Sequence, residues 1–220
     1  MSSLPLFPLN TVLFPGMPIT LHIFEDRYKL MINECVHEHH PFGVVLLQSG
    51  SEVKGLSAAE PTPYSIGCTA HIAQTQPLGS GRMNIVAIGQ ERFQITQLDH
   101  SKPYLTGETV PFPLENMQPA LLASAVQRLR PWIERYLSVL EQAENVRIAP
   151  HQLPEEDIPL AYLAASLLKI DLHEKQQLLS VDSALQLADN VRAIYRKEVT
   201  LSEVALVQPE TEYRGPFSAN

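Results

Sequence analysis

Proline placement sets the terms on which this chain can fold. Residues 4–28, LPLFPLNTVLFPGMPITLHIFEDRY, hold Pro5, Pro8, Pro15 and Pro18 with Gly16 among dense apolar side chains. Proline removes a backbone donor and fixes φ, so this stretch is excluded as a single helix and reads as strands broken at fixed points. Pro15-Gly16 reads as a tight turn. Ile19, Leu21 and Ile23 alternate with Pro18, Thr20 and His22, the period of a strand with one buried face. After Phe24 the period changes. Tyr28, Met31, Ile32, Cys35 and Val36 fall at helical spacing, which predicts a helix over 25–38 whose apolar face returns onto the preceding strand.

The strand signals continue to about residue 110. FGVVLLQ at 42–48 is almost wholly apolar, a pattern suited to burial on both faces. The serines, glycines and prolines of 49–63 mark a surface loop. Ile66, Cys68, Ala70 and Ile72 alternate with polar or small residues, and QPLGSGR at 76–82 supplies a hairpin turn into a strand over 83–89. Gln90-Glu91 then reads as a short link to strands at 92–98 and 104–110. Pro111, Pro113 and Pro119 punctuate the boundary that follows.

Beyond 118 the period is helical. Leu122, Ala125, Val126, Leu129, Ile133, Tyr136 and Leu137 form one stripe, in which Pro131 requires either a kink or a new helix start. A second run begins near 154. Asp171 with Glu174, and Ser183 with Gln186, have the spacing of reciprocal N-caps, and the last helix is expected over 183–198. The remainder, 200–220, shows no stripe and reads as a tail.

Four ordered blocks carry a family resemblance: the opening stretch, FGVVLL at 42–47, GRMNIVAIGQERFQI at 81–95 and EKQQLLSVDSALQLADNV at 174–191. Together they resemble the N-terminal substrate-recognition domain of the Lon ATP-dependent proteases, over about residues 4–198. The resemblance implies an α+β fold: a PUA-like, mostly antiparallel β-barrel with one covering helix, followed by an α-helical bundle. The corresponding subdomains are 1–115, 116–199 and the tail 200–220. It also implies a stand-alone, non-catalytic module that binds unfolded polypeptide or acts as an adaptor. Where the family has an acidic residue followed by Glu-Arg-Leu in the last helices, this chain has Ser180 and Ala184-Leu185-Gln186.

Charge narrows the partners. The formal net charge is −8 with 18% charged residues, which repels phosphate backbones and gives no basic footprint for nucleic acid or an anionic membrane. A membrane-spanning run and a signal sequence are both absent from the pattern, so a cytoplasmic location is expected. The expected partners are polypeptide segments or a partner protein, with a homodimer left open. Cys35 and Cys68 sit on apolar faces, where free thiols act as small hydrophobes.

Several side chains could carry chemistry. His37, His39 and His40 suggest a metal, although only His37 and His40 share a helical face, and histidines near a helix end before Pro41 have an ordinary structural reading. Cys35 with His39 would make a thiol pair, but Cys35 belongs to the buried stripe. A small metal- or thiol-dependent hydrolase is therefore the alternative function. No phosphate-cradling motif is present; no cofactor, metal or catalytic residue is expected. Arg27, Glu91 and Arg92, charged among apolar neighbours, are candidates to anchor a peptide, or else an internal ion pair tying the first helix to the barrel. Trp132 and Tyr136 share a helical face and read as partner surface or core. Phe14 and Met17, flanking Pro15-Gly16, complete the candidate peptide-binding set; the competing reading makes them plugs for the end of the barrel.

Overall fold

The computed structural model describes residues 2–49, 62–144 and 153–207. Its strands are β1 (Ser2–Leu9), β2 (Pro18–Ile23), β3 (Phe42–Ser49), β4 (Thr62–Pro63), β5 (Ile66–Gly79), β6 (Arg82–Asp99) and β7 (Thr106–Pro111). Helix α1 (Asp26–Glu38) follows β2, and α2 (Pro119–Glu144), α3 (Asp157–Leu167), α4 (Leu172–Leu179) and α5 (Ala184–Val207) follow β7.

The sheet runs β1-β7-β6-β5-β3, and β1 pairs back onto β3, so five strands close a circuit. All its pairings are antiparallel except β1 with β3. Closure on so few strands leaves little interior room. A Cβ on Gly43 would lie 2.6 Å from the Phe93 ring and 2.8 Å from a Leu4 methyl, so a larger residue there would displace the barrel's filling. Beyond the circuit, the first half of β6 lies between β2 and the projecting half of β5. Helix α1 covers this part, burying Tyr28, Met31, Ile32 and Cys35 against Ile23, Ile85 and Ala87. The bundle has its own core, in which Leu129, Ile133, Leu187 and Val191 are fully buried.

Several expectations change. Residues 82–99 are one strand rather than two, because Gln90-Glu91 form a β-bulge opposite Thr69, not a turn. The Thr69 hydroxyl accepts from the Glu91 N–H at 3.1 Å and donates to its carbonyl at 3.2 Å, holding the extra residue. At Pro131, where the sequence allows either a kink or a new start, helix α2 runs on without a new start. The last helix continues to Val207, past the expected stop at 198, leaving 208–220 outside the described residues. The final strand starts at Thr106 rather than 104, with Tyr104 buried ahead of it. The expected loop ends as the two-residue β4, and 50–61 lie outside the described residues. Of the two expected caps, Asp171 accepts from the His173 N–H at 2.7 Å. Both cysteines are free and buried.

The turn at Pro15-Gly16 is as expected, and it is clamped. Met17 N–H donates to the Phe14 carbonyl at 3.1 Å, with Gly16 at φ 80, where glycine is favoured. Gly16 N–H donates to the Gly89 carbonyl, and Gly89 N–H to that of Met17. A Cβ on Gly89 would meet the Phe14 carbonyl oxygen at 2.4 Å. Gly89→Ala should therefore lower stability by about 1–3 kcal/mol, the usual range for overpacking, measured as a reduced urea midpoint with unchanged slope.

Candidate functional site

The bulge in β6 decides where Arg92 points. The extra residue reverses side-chain alternation along the strand, leaving Glu91 exposed and Arg92 3% exposed beneath the bundle. Arg92 Nη1 donates to the carbonyls of Leu179 and Val181, both at 2.6 Å, at and just past the C-terminus of α4. That is the end of a helix where a cation is favoured. The guanidinium also lies over the Phe112 ring, 4.7 Å from its centroid. Nε and Nη2 are buried and meet no acceptor among the described residues. Burial pulls the Arg92 pKa down, opposed by Tyr162 and Asp182, but a guanidinium starts high enough to stay charged at neutral pH.

Above Arg92 a groove of about 310 Å³ opens where the barrel meets the bundle. Pro15, from the clamped turn, and Pro111, Pro113 and Leu114, from the segment leaving β7, form one side. Ile158 and Tyr162 of α3 form the other, with Gln90, Glu91 and Arg92 along the strand. Burial raises the Tyr162 pKa to about 12, so its hydroxyl stays protonated. The titratable side chains lining the groove, Glu91, Arg92 and Tyr162, include no nucleophile paired with a base. An apolar lining with a few polar groups is the usual make-up of a binding groove. Further along the same segment, Met117 and Leu121 are 82% and 54% exposed.

The expected site residues do not form one surface. Phe14 is fully buried in the bundle core, 6.3 Å from the Tyr162 ring centroid. This corrects its reading as an exposed binding residue: the turn projects Gly16 outward, but the Phe14 carbonyl is used in the turn and its ring packs inward. Met17 is half-buried between the two cores. Arg27 lies away from the groove, its Nε 2.9 Å from Glu25 and its guanidinium over Tyr28. Arg92 thus ties the barrel to α4, not to α1 through an ion pair. Glu91 and Arg92 alone of the five line the groove. Sequence reading gives Ile158 only a place in the second helical run and does not single out Tyr162, and it takes the prolines at 111 and 113 as boundary markers.

The alternative hydrolase finds no support in its residues. Among the described residues no three potential ligands gather as a metal site. His39 ends α1 in the left-handed region at φ 54, its ring bonded to the Val36 carbonyl at 3.0 Å. The Cys35 thiol is 2% exposed, and burial, reinforced by Glu34 and Glu38, pushes its pKa up to about 11, keeping it out of the thiolate form. Tyr136 is core, in edge contact with Tyr195 at 5.0 Å, while Trp132 is half-buried beside Arg135 and Arg196.

Comparison with known proteins matches residues 3–193 to the family model of the ATP-dependent protease La (LON) substrate-binding domain. The Lon protease of Desulforamulus reducens is 24% identical over 203 residues, covering 92% of this chain and 25% of that protein. That of Parabacteroides distasonis is 26% identical over 216 residues, 95% of this chain and 26% of that protein. The chain thus spans about a quarter of these relatives' length. Among solved structures, the N-terminal domain of Mycobacterium avium complex Lon protease superposes with a TM-score of 0.65 at 18% identity, covering 89% of this chain and 98% of that one. A Lon N-terminal domain protein from Xanthomonas campestris gives 0.56 at 23% identity, covering 95% of this chain and 100% of that one.

Phe14→Ser should cost about 3–5 kcal/mol, as truncation of buried aromatics does, whereas half-buried Met17→Ser should cost clearly less, both read by urea denaturation. Arg92→Met keeps the volume but leaves the Leu179 and Val181 carbonyls without their donor. A loss of about 2–4 kcal/mol is expected for two charge-assisted bonds, checked by the same titration.

Proposed function

This chain belongs to the family of the Lon substrate-binding domain, and on that premise we propose that it is a non-catalytic module that holds unfolded polypeptide in the groove between barrel and bundle. The supporting observation is the groove's lining. Prolines 15, 111 and 113, with Leu114, Ile158 and Tyr162, present apolar surface at the meeting of three separate segments. Apolar patches of this kind mark interaction sites more often than isolated exposed residues do. Proline and tyrosine walls recognise apolar character without demanding one sequence, which suits varied unfolded clients.

The module brings no reaction of its own. Its best-placed thiol is held protonated and buried, and the groove's ionisable side chains are an exposed acid, a buried cation and a tyrosine held protonated. Delivering a bound client to a protease or acting as an adaptor follows from the family premise. The chain's net charge of −8 directs it toward polypeptide rather than nucleic acid.

A labelled, permanently unfolded probe, reduced and carboxymethylated lactalbumin, should bind with micromolar to millimolar affinity by fluorescence anisotropy. Pro113→Asp and Ile158→Asp should each weaken binding by about fivefold or more, the effect of removing about 1 kcal/mol of apolar contact, while melting within a few degrees of the parent. Unchanged binding in both variants would overturn the groove assignment.

A further inference from the structure

Strand β5 outruns its neighbour. It pairs with β6 along nearly its whole length, but with β3 only through residues 68–70, because β3 begins at Phe42, directly after Pro41. Residues 71–79 therefore have a partner strand on one side only among the described residues. Alternate residues of a strand direct their N–H and C=O to opposite sides, so this edge presents unpaired backbone donors and acceptors. Among residues 71–79, all but Ile72 are exposed.

The open edge is one wall of a concave site. The C-terminal end of α1 forms the other wall, and about 460 Å³ lies between them. Val36, Cys35 and Ile72 supply an apolar floor, while His39, His40 and His71 stand at the rim. No carboxylate lines this groove, although the chain as a whole carries a net charge of −8. A strand edge facing a helix across a shallow apolar trough is the geometry in which an extended peptide adds as a further strand: main-chain bonds give affinity, and the trough selects every second side chain.

We infer that the trough between β5 and α1 is a strand-addition site for an extended polypeptide segment, with apolar side chains at alternate positions and carboxylate or hydroxyl side chains between them. The apolar set enters the trough against Val36 and Ile72. The intervening acceptors meet the imidazole N–H groups of His40 and His71, at a rim that no carboxylate lines. This site is separate from the barrel–bundle groove and does not depend on it. The edge is short and carries bulges near Ile72 and Pro77, which shield it from indiscriminate pairing and confine an incoming strand to the central residues.

The bulge also supplies a clean test. Ala73 is the extra residue between Ile72, opposite Ala87, and Gln74, opposite Val86, so it lies outside the β6 ladder. Ala73→Pro removes a backbone donor at the one position of this stretch that stands between two β6 partners rather than opposite one. The probe is a fluorescent decapeptide alternating valine with glutamate and threonine, compared with the same peptide N-methylated at alternate residues. N-methylation leaves the side chains but abolishes main-chain pairing along one edge. The parent peptide is expected to bind and to slow amide exchange within residues 71–78 of β5. Binding should fall about tenfold or more on N-methylation, as losing one or two net backbone bonds predicts. It should also fall with Ala73→Pro and with Val36→Glu, an exposed helix position that needs no change in the strand, and remain unchanged with Ile158→Asp. Equal binding of the N-methylated peptide would overturn the inference. So would slowed exchange confined to the barrel–bundle groove, no binding at millimolar peptide, or self-association abolished by Ala73→Pro without peptide binding, which would make a second copy the occupant.

Discussion

The approach of the Pro15-Gly16 turn to Gly89 is the contact on which the rest of the molecule depends. Two backbone bonds join turn and strand, and they form only because no side chain stands at Gly89. The consequence reaches beyond the barrel. With its carbonyl held in the turn, Phe14 sends its ring into the bundle core beside Tyr162, while Pro15 is left to wall the groove. One local constraint thereby sets both a core residue and a surface residue, and an apolar cluster from two differently built halves becomes continuous.

Polar links between the halves converge on the short helix α4. Gln176 Nε2 donates to the Ile66 carbonyl at 2.9 Å, and Arg92 caps the helix's far end through Leu179 and Val181. Near its start, His173 Nδ1 lies 2.6 Å from the Tyr64 hydroxyl. Each link joins a barrel residue to an eight-residue helix too short to be stable by itself. The helix therefore owes its place to the barrel. Among the described residues, the buried side-chain polar atoms left over, Arg92 Nε and Nη2 with Gln176 Oε1, all belong to this seam. Fixing α4 at both ends therefore has a desolvation cost, which the apolar burial around it offsets.

Much of the fold was legible because proline and periodicity act locally. The change of period after Phe24, the Pro15-Gly16 turn and the cap at Asp171 each depend on a few neighbouring residues. Gln90-Glu91 misled because a polar pair after glycine looks alike in a turn and in a bulge; what separates them is Thr69, on another strand. Pro131 was ambiguous because packing of α2 against α5 holds the helix together across a residue that would end an isolated one. The groove was the least visible feature. Arg92 stood out as a charge among apolar residues, but its acceptors lie 87 and 89 positions away, and no local pattern reports such a distance.

Strand β6, 18 residues long, serves two parts of the one sheet: it pairs with β2 and β5 before the bulge, and with β5 and β7 after it. At about 3.3 Å per residue it is a spar of roughly 60 Å. A bulge is where such a member bends and twists most, so Gln90 and Glu91 are its natural joint. The next residue is Arg92, held by two carbonyls of the bundle. The joint and its pin are thus adjacent in sequence, so a change in the bulge would be felt directly at the tie to the bundle.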